Sequence, residues 1–220
     1  MNRTRHEFEM LKGIGIEVNN PIDAVEIFEK SVASYCSAPY AISTDSCTHA
    51  LELIWRYLKP REVTCPRHTY PSVPMTLLKI GTPLNWTDLQ WCGDYEFPNL
   101  PVVDASTNFS EDLYKKPGTF YALSFQAKKR LPIGRGGMIL TDDLKAYEWF
   151  KRASWDGRDR SRPWKEQSLE YLGYHYYMPP EDAARGLVLL KEMQKSPQTN
   201  PQALVTWEDY PDLSLMPIFQ

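Results

Sequence analysis

The chain has 220 residues and a formal net charge of −3, long enough to bury one sizeable core and too acidic to be drawn as a whole to nucleic acid or an anionic membrane. Its cysteines, Cys36, Cys47, Cys65 and Cys92, form no CxxC pair, and His6, His49, His68 and His175 have no metal-ligand spacing. No metal is expected, and the thiols read as reduced groups of a cytosolic protein.

From the N-terminus, residues Met1 to Met10 alternate charged and polar types without an apolar stretch, so no signal peptide is expected, and no apolar run approaches a membrane span. Asn19-Asn20-Pro21 followed by Val25, Phe28, Val32 and Tyr35 predicts a capped amphipathic helix. Ala41 to Ser43 reads as a short strand. Asp45-Ser46 then caps a helix that carries Cys47, Ala50, Leu51, Ile54 and Leu58 on one face and stops at Pro60. Glu62 to Cys65 is a strand, Val73 to Ile80 a helix ended by Gly81, and Pro83 to Trp86 a further strand. Leu100 to Val103 reads as a buried strand with Asp104 at its carboxyl end. Thr119 to Phe125 and Gly137 to Thr141 are strands joined by the loop Gln126 to Gly136. Asp143 to Trp155 and Pro179 to Met193 are helices, separated by a charged loop at Asp156 to Arg162. Residues 1–195 are expected to form one domain and 196–220 an irregular arm. Strands alternating with helices predict an α/β domain with a mostly parallel sheet, whose ligands bind beyond the carboxyl ends of the strands.

The run Lys128-Lys129-Arg130, taken bare, is a solvated face. Its setting changes that reading. It follows a buried strand and precedes the glycine-rich Gly134-Arg135-Gly136-Gly137, where backbone can approach a ligand and an amine can be desolvated into a nucleophile. Asp45-Ser46-Cys47-Thr48 at a helix start reads either as a plain cap or as an anion site made of exposed amides. Tyr70 in a loop and Asp104 at a strand end have equally ordinary readings, as packing and as a turn former.

Together these segments resemble the DegT/DnrJ/EryC1/StrS family of pyridoxal-phosphate (PLP) sugar aminotransferases, from about Ala24 to Met193. Ser124, Phe125, Lys129, Gly134, Gly136 and Gly137 keep the spacing of the family's Schiff-base lysine motif. Ser46-Cys47-Thr48-His49-Ala50-Leu51 resembles its phosphate turn, Pro66 to Tyr70 its ring-stacking segment, and Gly173 to Met178 the loop that reaches a partner's cofactor across a dimer. The resemblance implies a three-layer α/β/α large domain of the aspartate aminotransferase type. It also implies catalytic roles for Lys129 and Asp104, and cofactor binding by Ser46, Cys47, Thr48, Tyr70, Asp104, Thr107, Ser124, Lys129 and, from the partner, His175. The implied activity moves an amino group from an amino-acid donor such as glutamate to a keto-sugar nucleotide or related carbonyl, in a cytoplasmic homodimer with no nucleic-acid or membrane partner. Two alternatives stand beside it: a non-catalytic dimeric scaffold on the same fold, and a PLP enzyme acting on a non-sugar amine.

Departures from the family pattern are local. Arg135 replaces a glutamate, Cys47 a glycine, and Thr107 a Gln or His, while His175 and Tyr177 replace Asn and Arg. Only about twenty residues separate Gly81-Thr82-Pro83 from Asp104, where the family carries more, and little of the family's small domain follows Met193.

Overall fold

A computed structural model of the protein describes residues 5–195 and 204–220. The helices and strands, in chain order, are α1 (His6–Gly13), α2 (Pro21–Tyr35), β1 (Tyr40–Thr44), α3 (Cys47–Leu58), β2 (Val63–Pro66), α4 (Ser72–Ile80), β3 (Leu84–Thr87), β4 (Tyr95–Glu96), β5 (Val102–Asp104), β6 (Phe120–Ser124), β7 (Gly137–Thr141), α5 (Leu144–Ala153) and α6 (Pro180–Lys195). The start of α2 follows its sequence signal: Asn20 Oδ1 accepts from the Ile22 amide, Asp23 Oδ2 accepts from the Asn20 amide, and Pro21 opens the helix. The α4 helix ends on Gly81 at φ 71°, a left-handed cap that glycine adopts without strain.

The main sheet has the order β1-β7-β6-β5-β4, and β2 and β3 form a separate parallel pair bridged by α4. The expected mostly parallel sheet is therefore corrected to a mixed one. Strands β1, β6 and β5 run together, whereas β7 is antiparallel to both its neighbours and β4 is antiparallel to β5. The reason lies in the connections. Parallel neighbours need a crossover, usually through a helix, but β6 returns to β7 through a helix-free loop and β4 returns to β5 through a few residues.

The three layers are set by period-2 alternation. Val103, Tyr121, Leu123, Met138 and Leu140 pack toward α1, α2 and α6. Their sequence neighbours Val102, Phe120, Ala122 and Ile139 pack toward α3, α4 and α5. Phe28 and Phe125 are fully buried and meet edge to face at 5.5 Å; burial of each ring contributes about 2–3 kcal/mol. Helix α1, unforeseen because its pattern is mostly charged, docks through the fully buried Leu11.

The expected start of the arm at Ser196 lies outside the described residues. Residues 204–220 hold three short 3-10 turns, at Trp207–Asp209, Leu213–Leu215 and Pro217–Phe219. This segment folds back on the loops after β2 and β3. The Leu213 amide donates to Arg67 O at 2.8 Å, the Gly93 amide to Val205 O at 2.8 Å, and His68 Nδ1 lies 2.8 Å from Tyr210 O. Leu213 is completely buried.

Candidate active site

A cavity of about 360 Å³ opens at the carboxyl ends of β1, β5 and β6, within the range of about 300–1,000 Å³ typical of small-ligand sites. Its floor is the start of α3. Ser46 caps that helix by accepting from the His49 amide at 3.2 Å. The amides of Cys47 and Thr48, residues that line the cavity, have no partner among the turn and side-chain hydrogen bonds of the described residues. Unpaired first-turn amides with the helix dipole behind them form an anion cradle.

The glycines of the lysine loop bring the sheet onto this cradle. A Cβ on Gly137 would stand 2.3 Å from Ser46 C and 2.4 Å from the Cys47 nitrogen, so only glycine allows β7 to lie against the helix start. Gly136 sits at φ 143°, and a Cβ there would meet Met178 Cε at 2.6 Å. The rest of the loop is anchored from below. Leu131 and Ile133 are buried beside α2 and α6, and Gly186 leaves room for Ile133 and Phe28. The Lys129 amide donates to Gln126 O at 2.8 Å, closing a turn that leaves Lys128 exposed and Lys129 half-buried at the cavity wall.

Opposite stands Asp104, buried at the end of β5. Its Oδ1 accepts from the Ser106 amide at 3.0 Å and its Oδ2 from the Tyr95 hydroxyl at 3.0 Å. Burial raises its pKa, while the Ser106 and Tyr95 hydrogen bonds and the Lys129 charge draw it back. Tyr70, half exposed, lines the mouth with its ring in no aromatic pair among the described residues. Arg135 also lines the mouth and donates to Asp45 through Nη2, at 2.9 Å from Oδ2, and through Nε, at 3.2 Å from the carbonyl. Asp45 is held from its other side by His49, whose ring stacks on Tyr176 at 3.7 Å between centroids.

This chain matches the DegT/DnrJ/EryC1/StrS aminotransferase family over residues 18–90 and 111–209. The chain belongs to that family. Its members are PLP-dependent aminotransferases. No curated protein matches the chain significantly. Among solved structures it is similar to the sugar aminotransferase CalS13 from Micromonospora echinospora, with 18% identity and a TM-score of 0.68 over 89% of this chain and 67% of that one. It is similar also to AtS13 from Actinomadura melliaura, with 19% identity and a TM-score of 0.66 over 86% and 64% of the two chains. The PLP form of Spr1654 from Streptococcus pneumoniae gives 19% and 0.66 over 88% and 66%. These likenesses establish the fold, and the chain spans about two thirds of the length of those structures.

Of the residues expected at the site, Ser46, Cys47, Thr48, Tyr70, Asp104, Ser124 and Lys129 share the cavity. Thr107 does not line it, because its hydroxyl turns away to donate to the Gly93 carbonyl. His175 does not line it either. It lies within 3.2 Å of Asp156 and its side chain is 71% exposed, on the opposite side of its segment from Tyr176, which packs on α3. Ser72, Ser106 and Gln126 were missed, as was Tyr95 behind Asp104. A signal for Tyr95 existed in the alternation Tyr95-Glu96-Phe97 just before the apolar Leu100 to Val103.

The amine and the carboxylate are tuned in a way that suits covalent capture of an aldehyde. Desolvation lowers the pKa of Lys129, against the opposing pull of Cys47 and Asp104. Burial keeps the Cys47 thiol well above the ordinary range, so at neutral pH the thiol adds no charge beside the lysine. A lowered amine pKa means that the nucleophilic free base appears at lower pH than for a surface lysine. Borohydride trapping of PLP at a series of pH values, read by peptide mapping, is expected to give a Lys129 midpoint below that of a free lysine amine in a model peptide; coincident midpoints would contradict a desolvated amine.

Proposed function

We propose that the protein is a PLP-dependent aminotransferase that takes an amino group from an amino-acid donor, glutamate foremost, and delivers it to a keto-sugar nucleotide or related carbonyl compound. The observation that carries this is the convergence on one cavity of a half-buried lysine, a buried carboxylate and the free amides of a helix start. These groups fit PLP in kind: amides for its phosphate, an amine for its aldehyde, a carboxylate for its ring nitrogen. When bound, the cofactor supplies an electron sink for the charge left by proton removal.

The chain's own groups have separable roles. The Cys47 and Thr48 amides, with Ser124, bind phosphate. Tyr70 stacks on the ring from the mouth. Asp104 holds a proton on a basic ring nitrogen placed against it, which a buried carboxylate does most strongly in its ionised form. Lys129 Nζ holds the cofactor covalently until a donor amine displaces it; as free base it then accepts the proton of the donor α-carbon and later returns it. A homodimer in which the exposed His175 reaches the partner's phosphate completes this reading. The Cys47 thiol, neutral at working pH, adds no charge beside the phosphate.

Protein reconstituted with PLP and treated with borohydride is expected to carry the label on Lys129, and glutamate alone is expected to convert bound PLP to its amine form. Label spread over surface lysines, with no response to glutamate, would leave a scaffold on the same fold. Response to glutamate without turnover of any keto-sugar nucleotide would point to a different carbonyl acceptor.

A further inference from the structure

Residues 91–110, between the two stretches matched by the family model, carry β4, β5 and Asp104. Within it Tyr95 and Asp104 are directly opposite each other across the antiparallel β4–β5 pair, a placement that puts both side chains on one face of the sheet. The hydroxyl of Tyr95, a residue only 5% exposed, donates to Asp104 Oδ2 at 3.0 Å. A phenol has one proton to give. The contact of 2.7 Å between Tyr95 and the buried Thr69 hydroxyl is therefore a donation from Thr69 to the phenol oxygen. Thr69 is the residue next to Tyr70. One hydrogen-bond chain thus runs from the loop that bears the stacking ring, through Tyr95, to the carboxylate.

We propose that Tyr95 is a positioning residue for Asp104: through the chain Thr69–Tyr95–Asp104 it aims the carboxylate into the cavity, holds it in its ionised form and ties its place to that of Tyr70. The residue three after the aspartate, Thr107, is committed to Gly93 and gives Asp104 no help. Besides Tyr95 and the Ser106 amide, the groups that bear on Asp104 are Lys129, the thiols of Cys47 and Cys65, and Tyr210. Burial raises the pKa of Tyr95 and of both thiols, so at neutral pH Tyr95 stays a donor and the thiols stay uncharged. Tyr95 packs against Trp91 and Phe97 at 5.2 and 5.3 Å between ring centroids, contacts that phenylalanine would keep.

The reading of Asp104 as the ring-nitrogen partner underlies this inference, and the test separates the two. In cofactor-free protein with carbon-13 in its aspartate carboxyls, the Asp104 signal is identified by its loss in Asp104→Asn and titrated with pH. Tyr95→Phe is expected to move that titration to higher pH, and Thr69→Val to move it in the same direction by less. The PLP dissociation constant is expected to rise about tenfold in Tyr95→Phe, as for loss of a hydrogen bond to a charged group. An Asp104 titration unchanged in Tyr95→Phe overturns the proposal, whatever the protein does with PLP. If Tyr95→Phe does not fold, Thr69→Val decides alone, an upward shift supporting the proposal and no shift overturning it. A shifted titration in a protein that never fixes PLP on Lys129 would leave the positioning role standing and bring down the functional reading.

Discussion

Replacing Lys129 by alanine is expected to abolish borohydride fixation of PLP and to slow amino transfer by about a thousandfold or more, the combined effect of losing a nucleophile and an acid–base group. The neighbouring Lys128→Ala should leave both intact, because that side chain is exposed and lies outside the cavity wall. Two features make the contrast informative. The Lys129 side chain is truncated without touching the backbone turn that the Gln126 carbonyl closes, so the fold should survive. The space left also admits a small primary amine, so added ethylamine should restore part of the Lys129→Ala rate by standing in for Nζ. Single-turnover kinetics with glutamate, followed by cofactor absorbance, would check both; a Lys129→Ala protein that turned over like wild type would remove the lysine from the mechanism.

Gly137→Ala is expected to be the most damaging single-methyl change in the site. Its Cβ would stand 2.3–2.5 Å from backbone atoms of Ser46 and Cys47, where no side chain can rotate away. Relief requires β7 or the start of α3 to move, at a cost of about 3 kcal/mol or more, roughly 6–12 °C in Tm for a chain of this size. Such movement also displaces the Cys47 and Thr48 amides, so PLP affinity should fall along with stability. Gly13→Ala, whose Cβ would meet nothing within 4 Å, should stay within about 0.5 kcal/mol of the parent. Thermal melts and PLP titrations of the two variants side by side would test the steric argument; a Gly137→Ala protein that melted and bound like wild type would refute it.

The lysine loop was legible in sequence because its constraints are local: Gly137 marks a backbone contact, Gly136 a positive φ, and Leu131 and Ile133 the anchor. The start of α3 was legible for the same reason, through the Ser46 cap. Thr107 misled because a position counted from Asp104 says nothing of which way a hydroxyl turns, and here a carbonyl at Gly93 competes for it. Sheet direction misled because strands and helices were counted without asking which connections are too short to cross over. Strand β4 has two residues, and the brief alternation of Tyr95-Glu96-Phe97 does not say that Tyr95 faces Asp104. What sequence conveys poorly in this molecule is side-chain pairing between segments far apart in the chain.

The docking of residues 205–213 onto the loops after β2 and β3 has a consequence for the order of folding. The ion pair between Arg67 and Asp212 joins positions 145 residues apart, and the Leu213 amide binds the Arg67 carbonyl beside it. Contacts of such long sequence separation form late, since the entropy of closing so large a loop must be offset before they return any stability. The sheet can assemble once β7 has been synthesised, but the loop that presents Tyr70 is fixed only after residue 213 has left the ribosome. A nascent chain stalled before that point would hold a formed core and an unfinished mouth, so the cavity is completed only after the segment through Leu213 has emerged.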